Sequence, residues 1–293
     1  MPRLLPIATA QVAPRPAATA LDGFASEVTE LLAAHPETRL VIHPEMHLCG
    51  VDGTTEERHE LLQAAAEPLD GPRTRQLAEL AGDLGVWIFP GTVCERGSDG
   101  ALFNTALAFS PEGRLVASYR KIFPWRPYEP YDPGDRFVVF DLPEAGRIGF
   151  AICYDSWFPE VARQLAWLGA EVIVNQVETT TADREQELVL ARAHAIVNQL
   201  HVVSVNAAAP VGTGRSLIVD PEGRVTAEAP DAEPVVLTEV LDLDQVTRTR
   251  TLGTAGLNRM WEQFTDADAP IELPLYAGRI DPRRWRPASA PRA

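Results

Sequence analysis

The tetrapeptide Pro-Glu-Gly-Arg stands twice in the chain, at 111–114 and at 221–224, and the same succession of elements leads up to each copy. Ahead of the first come an apolar strand over 5–12, a helix over 21–34 with Leu21, Phe24, Val28 and Leu31 on one face, and a strand over 40–44. A helix aligning Leu77, Leu80, Ala81 and Leu84 follows, stopped by Gly85. Then come a strand over 86–89 and two strands, 103–109 and 114–120, that flank the tetrapeptide. Ahead of the second copy the order is strand 147–152, helix 159–168, strand 171–175, helix 184–199 and strand 201–206, with strands 215–219 and 224–228 about the turn. Pro and Gly stand where a type I hairpin connection wants them. Two related βαβαβ-hairpin halves result. Each covers one face of its sheet with two helices, and the remaining apolar faces are buried only against each other. The expected fold is therefore α/β, a four-layer α-β-β-α sandwich of two mixed sheets with pseudo-twofold halves. The nearly unbroken apolar run over 202–205 suits a strand covered on both sides.

At 293 residues and 45% hydrophobic, the chain can bury a large core, and no Gly/Ser-rich or charged linker divides it. We read 1–245 as one domain and 246–293 as a C-terminal extension, because the basic, Pro-rich stretch from Asp281 to Pro287 is too poor in apolar residues to build a core. A formal net charge of −15 argues against nucleic-acid partners, while a basic tail on an acidic body points to packing on a second subunit, at least a homodimer. No segment approaches the ~20 apolar residues of a membrane span. The start of the chain imitates a secretory leader, with Arg3 before a short apolar stretch, but Pro6 breaks that stretch, and a first strand is the better reading. Cys49, Cys94 and Cys153 cannot all pair internally, and a thiol nucleophile needs a reducing compartment, so the cytoplasm is expected.

Three of the short strands end in groups that carry chemistry. Glu45 follows Leu40-Val41-Ile42-His43-Pro44, Lys121 closes Leu115-Val116-Ala117-Ser118-Tyr119-Arg120, and Cys153 lies between an apolar strand and a helix starting near Pro159. A lone cysteine at such a junction is more often an inert small hydrophobe. With its companions it reads otherwise: a base, a cation and a thiol converge on one rim of a sheet, the ligand edge of α/β folds. The helix N-terminus would favour thiolate over thiol. Strand alternation puts Arg120 and Lys121 on opposite faces, so one points inward while the other meets solvent. The set supports covalent acyl transfer, in which a carboxylate takes the thiol proton, sulfur attacks a carbonyl and ammonium holds the oxyanion.

The motifs that carry these residues resemble those of the nitrilase, or carbon–nitrogen hydrolase, superfamily: Pro44-Glu45 after a strand, Tyr119-Arg120-Lys121 ending one, and Gly149 to Glu160 around Ile152-Cys153-Tyr154-Asp155. Phe103-Asn104-Thr105-Ala106, Pro133-Gly134-Asp135, Gly169-Ala170-Glu171-Val172 and Asn198-Gln199 match as well, in family order across roughly 5–240. The resemblance implies the same four-layer fold and a thiol-dependent hydrolase of non-peptide carbon–nitrogen bonds. It makes Cys153 the nucleophile, Glu45 the general base, and Lys121 with the Tyr154 N–H the oxyanion donors. It makes Glu129, in the ring-rich loop Pro124-Trp125-Arg126-Pro127-Tyr128-Glu129-Pro130, a positioning carboxylate, in wording closest to the amidase and formamidase branch. Trp125, Tyr128, Tyr154, Trp157, Gln176 and Val177 are expected to line the substrate pocket.

The substrate class expected is a small linear amide. N-carbamoyl amines come next, because the run from Cys153 to Glu160 is similar to that of carbamoyl-amine hydrolases, and nitriles after that. A catalytically retired binding protein on the same fold is the reading from another class, and the presence of Glu45, Lys121 and Cys153 together argues against it. His194 and Val197 replace an Arg and a Glu frequent in relatives, and Gln176-Val177-Glu178-Thr179-Thr180 runs where a proline is common. No cofactor is expected. His43, His47 and Cys49 crowd Glu45, but Pro44 breaks the helix that an i,i+4 histidine pair would need, so no metal is expected either. Gly212-Thr213-Gly214-Arg215-Ser216 lacks the Lys-Ser/Thr ending of a phosphate loop and reads as a strand connection.

Overall fold

Both Pro-Glu-Gly-Arg turns close with the same pair of hydrogen bonds. The Gly113 N–H donates to Ser110 O and the Ser110 N–H to Arg114 O, each at 2.9 Å, while Gly223 donates to Asp220 O and Asp220 to Arg224 O at the same distances. Gly113 and Gly223 take the left-handed backbone (φ +71° and +82°) that follows a type I turn in this hairpin class. The computed structural model describes residues 2–269, 271–273 and 278.

The first half runs β1 (Leu4–Gln11), α1 (Phe24–Ala34), β2 (Leu40–Ile42), α2 (Thr55–Ala65), α3 (Pro72–Leu84), β3 (Trp87–Phe89), β4 (Thr92–Arg96), β5 (Leu102–Phe109) and β6 (Leu115–Arg120). The second runs β7 (Val139–Leu142), β8 (Gly146–Ile152), α4 (Pro159–Trp167), β9 (Val172–Val177), α5 (Arg184–Asn198), β10 (His201–Asn206), β11 (Leu217–Val219) and β12 (Val225–Glu228), then β13 (Val235–Asp242) and α6 (Leu243–Leu252). Among the described residues the sheets have seven strands, β13-β1-β2-β3-β5-β4 with β6 also on β5, and six, β12-β11-β10-β9-β8-β7. Parallel pairing at β1/β2/β3 and β8/β9/β10 sends the carboxyl ends of β2, β8 and β9 to one rim.

The helix ends follow local chemistry. Pro72 and Pro159 open α3 and α4 at a position whose N–H would be unpaired anyway, Gly85 ends α3 in the left-handed conformation, and Thr54 with Glu57 forms a reciprocal capping box on α2. Between the sheets Phe89, Phe140 and Phe150 meet with ring centroids 5.1–5.7 Å apart, all in one core cluster. Burying one such ring stabilises the fold by about 2–3 kcal/mol. Each such ring on the mating faces therefore holds the two halves together.

Five elements, α2, β4, β7, β13 and α6, lie outside the sequence expectation. The α2 helix is mostly polar and buries only Leu62, so it lacks the apolar stripe that would reveal it. Strands β4 and β7 are short. β13 returns from the second half to pair antiparallel with β1, Leu4 opposite Asp242 through to Gln11 opposite Val235, which breaks the pseudo-symmetry of the halves. The boundary expected at 245 falls inside α6, whose Leu243, Val246 and Thr249 pack into the body of the same chain. The tail expected to pack on a partner, Arg279 to Arg292, lies outside the described residues. No helix among the described residues is long and apolar enough to cross a membrane.

Candidate active site

The three strand-end groups meet. Lys121 Nζ donates to Glu45 Oε1 at 2.9 Å and to Glu129 Oε1 at 2.7 Å, with the lysine and Glu45 both buried. Arg120 points the other way, to Glu95 and over the Phe103 ring, so the alternation is as the sequence implies. Glu45 is held at three points. Besides Lys121, Asn104 Nδ2 donates to Oε1 at 2.7 Å and the Glu178 N–H donates to Oε2 at 2.9 Å. Its loop leaves β2 beneath Gly91 (φ +91°), where a Cβ would come within 2.1 Å of Pro44 O; only glycine allows that approach.

Burial raises the Glu45 carboxyl above its usual range even though Lys121 opposes it. Burial pulls Lys121 down, but the carboxylates of Glu45 and Glu129 outweigh it and hold the ammonium charged. Burial and then the Glu45 charge push the Cys153 thiol well above the ordinary range, more than Lys121 lowers it. Cys153 thus rests as a thiol. This corrects the expectation that the nearby helix favours thiolate: α4 begins only at Pro159, whereas the Glu45 carboxylate adjoins the sulfur.

Glu129 is fixed by its other oxygen, since Oε2 accepts the Trp125 N–H at 3.0 Å. The Trp125 and Tyr128 rings lie 4.4 Å apart, and Tyr128 is exposed. Cys153 begins a short 3-10 turn at φ +46°, a rare backbone for a non-glycine residue, just past the end of β8. Asp155 locks that turn: it accepts the Ile152 N–H at 3.0 Å, the Phe123 N–H at 2.9 Å and the Tyr119 hydroxyl at 2.7 Å. Tyr154 and Trp157 ride on the same turn, their rings 6.2 Å apart.

Behind the sulfur lies a buried chain that sequence reading missed. Thr179 Oγ1 is 3.8 Å from Cys153 Sγ and donates to Glu187 at 2.8 Å, and Arg184 Nη1 donates to Glu187 Oε2 at 3.0 Å. Thr179 is held by its N–H on Asn206 Oδ1 at 2.8 Å. The i,i+3 spacing of Arg184 and Glu187 on α5 was the available signal.

Two expected pocket residues are not on the pocket surface. Val177 is buried within β9, and Gln176 is buried with its amide donating to His43 O at 3.0 Å, bracing the strand that leads to Glu45. Glu178 and Thr179, just beyond the end of β9, meet Glu45 and Cys153 instead. The argument that Pro44 separates the histidines also fails, because a turn and not a helix brings the His43 and His47 rings into a stack 4.7 Å apart. Their Nε2 atoms lie 3.0 and 3.1 Å from Glu27 Oε1, and Arg15 pairs with Oε2 at 2.8 Å. Burial drives His47 down to about 4, so that ring is neutral. Glu27, His43 and His47 are the one set of three metal-type ligands that converge among the described residues. With Arg15 already balancing the carboxylate, they form a brace behind the Glu45 loop.

Residues 7–251 match the model of the carbon-nitrogen hydrolase family. The chain belongs to that family. Among characterised carbon-nitrogen hydrolases it is 33% identical to the human omega-amidase NIT2 over 202 residues, 63% of this chain and 72% of that one. It is 34% identical over 179 residues to a formamidase of Bacillus thuringiensis, 60% of this chain, and spans about half (52%) of that enzyme's length. The fold superposes on Saccharomyces cerevisiae Nit3, of the nitrilase superfamily, with a TM-score of 0.75 at 25% identity, covering 85% of this chain and 94% of that one. It also superposes on an amidase from Nesterenkonia sp., with a TM-score of 0.69 at 24% identity over 84% of this chain and 94% of the other.

Proposed function

We propose that this carbon–nitrogen hydrolase cleaves a non-peptide carbon–nitrogen bond of a small amide through a Cys153 acyl-enzyme, giving a carboxylic acid and ammonia or an amine. The observation that carries the reading is the Lys121 ammonium clasped between Glu45 and Glu129 while the thiol faces Glu45. Glu45 takes the thiol proton as sulfur bonds to the amide carbon. Lys121 and the Tyr154 N–H hold the oxyanion, Glu45 returns the proton to the departing nitrogen, and the carbon–nitrogen bond breaks. Water, deprotonated by Glu45, then attacks the thioester, and the proton passes back to sulfur as the acid leaves. Glu129 orients Lys121 and the acyl group throughout.

Similarity to an omega-amidase and to formamidases supports a linear amide as substrate. The run from Cys153 to Glu160 favours an N-carbamoyl amine as second choice. A screen for released ammonia or amine over amides, carbamoyl amines and nitriles, with Cys153→Ala as control, tests the reading. Activity that survives Cys153→Ala would sink it.

The same reading includes a homodimer or larger assembly. It is supported by exposed Trp167, whose ring lies 6.2 Å from Trp261, with Leu257 exposed nearby in the chain. Light scattering of the full chain against a chain ended near residue 275 tests it, and a monomeric mass for the full chain would refute it. A reactive thiol at the site supports a cytoplasmic location.

A further inference from the structure

The hydroxyl of Thr179 has one proton to give, and two acceptors stand beside it. On one side Glu187 presents both carboxylate oxygens, Oε1 at 2.9 Å and Oε2 at 2.8 Å, while on the other Cys153 Sγ lies 3.8 Å away. The carboxylate wins. Its bonds are short and charge-assisted, and Glu187 is ion-paired with Arg184, whose Nη1 donates to Oε2 at 3.0 Å. Arg184 is itself fixed, because Nη1 also donates to Ser204 Oγ at 3.2 Å, Nε to Gly214 O at 3.2 Å and Nη2 to Arg215 O at 2.8 Å. Thr179, Arg184 and Glu187 are all buried, and the Thr179 N–H on Asn206 fixes where the hydroxyl sits. With its proton spent on Glu187, the Thr179 oxygen can only accept. In its contact with Cys153 the donor is therefore the thiol.

We propose that Glu187 is a positioning residue that acts on the nucleophile through Thr179: by taking the hydroxyl proton it makes Thr179 an acceptor toward sulfur, and so withholds a hydrogen-bond donor from the Cys153 thiolate. The inference takes from the hydrolytic reading only that Cys153 is the nucleophile. Sulfur then meets acceptors on two sides, Thr179 and the Glu45 carboxylate, and nothing on the Thr179 side rewards early ionisation. The other charges around it agree on balance. Burial and then Glu45 raise the thiol, Lys121 lowers it, and Glu187 and Glu129 add to the rise, while Arg184 is balanced by Glu187 and Asp155 is spent on Tyr119 and two main-chain N–H groups. A thiol kept neutral between turnovers is a poorer target for stray electrophiles.

Iodoacetamide reads the thiolate directly on the full-length protein and without turnover, so a wrong substrate class leaves this test intact. At a given pH the labelling rate of Cys153 follows its thiolate fraction. Glu187→Gln supplies an amide that can donate to Thr179 as well as accept, which frees the hydroxyl proton to turn to sulfur. The pH–rate curve should then move to lower pH by about one unit, an about tenfold faster reaction at pH 8. In a Thr179→Val background the same change should move the curve by less than about half as much, because the loss of a nearby negative charge then acts alone. Thr179→Val by itself leaves the Arg184–Glu187 pair in place, so it serves even where Glu187→Gln fails to fold. Its sign is decisive. An acceptor hydroxyl stabilises the thiol, so its loss should leave the curve in place or move it to lower pH, and Thr179→Ser should match the native protein. A curve displaced to higher pH in Thr179→Val, a Glu187→Gln shift of equal size in both backgrounds, or a change in its height with no displacement overturns the proposal.

Discussion

The Glu178 N–H donates to Glu45 Oε2 at 2.9 Å, a bond from the end of β9 in one sheet to the carboxylate beyond β2 in the other. A second bond, Gln176 Nε2 to His43 O, joins the same two strand ends. The Glu45 carboxylate is therefore fixed only when the two halves have docked face to face, and this cluster is assembled by the sandwich.

Glu45 and Glu129 both bind Lys121 but are asked for different work. Glu45→Gln keeps the shape and loses the basicity, so it should block any substrate adduct on Cys153. Glu129→Gln should still allow the adduct while slowing its hydrolysis by about 10²-fold, the scale of impaired positioning. Intact-mass spectrometry after incubation with substrate separates the two, and an adduct on the Glu45 variant with none on the Glu129 variant reverses the roles.

The three thiols should differ in reactivity. Cys49 and Cys94 are buried in the core beneath α1 and α3, and burial pushes Cys94 up to about 12. Cys153 is partly accessible. One iodoacetamide adduct is expected on the native protein and none on Cys153→Ala. The labelling rate should keep rising above the ordinary thiol range, because Cys153 is held protonated by its surroundings. Two adducts under native conditions would contradict the packing described.

Much of this was legible because it is local. The helices with apolar stripes, the strands that end in Glu45, Lys121 and Cys153, and the repeated turn each announce themselves within a dozen residues. What was not legible depends on partners far away in the chain. Gln176 looks like a pocket residue until His43, 133 positions earlier, is seen to take its amide. Glu187 reads as a surface helix residue until Thr179 and Arg184 close on it. The two histidines seemed kept apart by Pro44, and only the turn geometry and Glu27 show otherwise.

Glu178 should cost the protein stability. Its folded value of about 8 lies above the 4.5 of the free group, so its contribution is fully present below pH 4.5 and is lost as pH rises to 8. At pH 8 that is a penalty of roughly 2–4 kcal/mol, discounted for its partial exposure. Glu178→Gln is expected to raise the melting temperature at pH 8 and to leave it nearly unchanged at pH 4.5. No stabilisation at pH 8 would mean that the carboxyl is better solvated than its position implies.

The brace behind Glu45 should fail in acid. Burial holds His47 down at about 4, against an ordinary 6.5, so the unfolded chain binds the extra proton first. Its contribution is complete above pH 6.5 and falls away toward pH 4, by roughly 3 kcal/mol in all. Burial raises Glu27, but hydrogen bonds from His43 and His47 outweigh it and leave the carboxylate depressed, so its contribution too is lost as pH falls below 4.5. Both losses have the same sign. Urea unfolding between pH 7 and 4 should show stability falling steeply, and His47→Gln should flatten the part of the slope above pH 4.5 while lowering stability at pH 7. Because the brace supports the loop that carries Glu45, turnover should decline in the same window in the native protein. An unchanged pH slope in His47→Gln would place the acid sensitivity elsewhere, with buried His194 and His201 as the next groups to test.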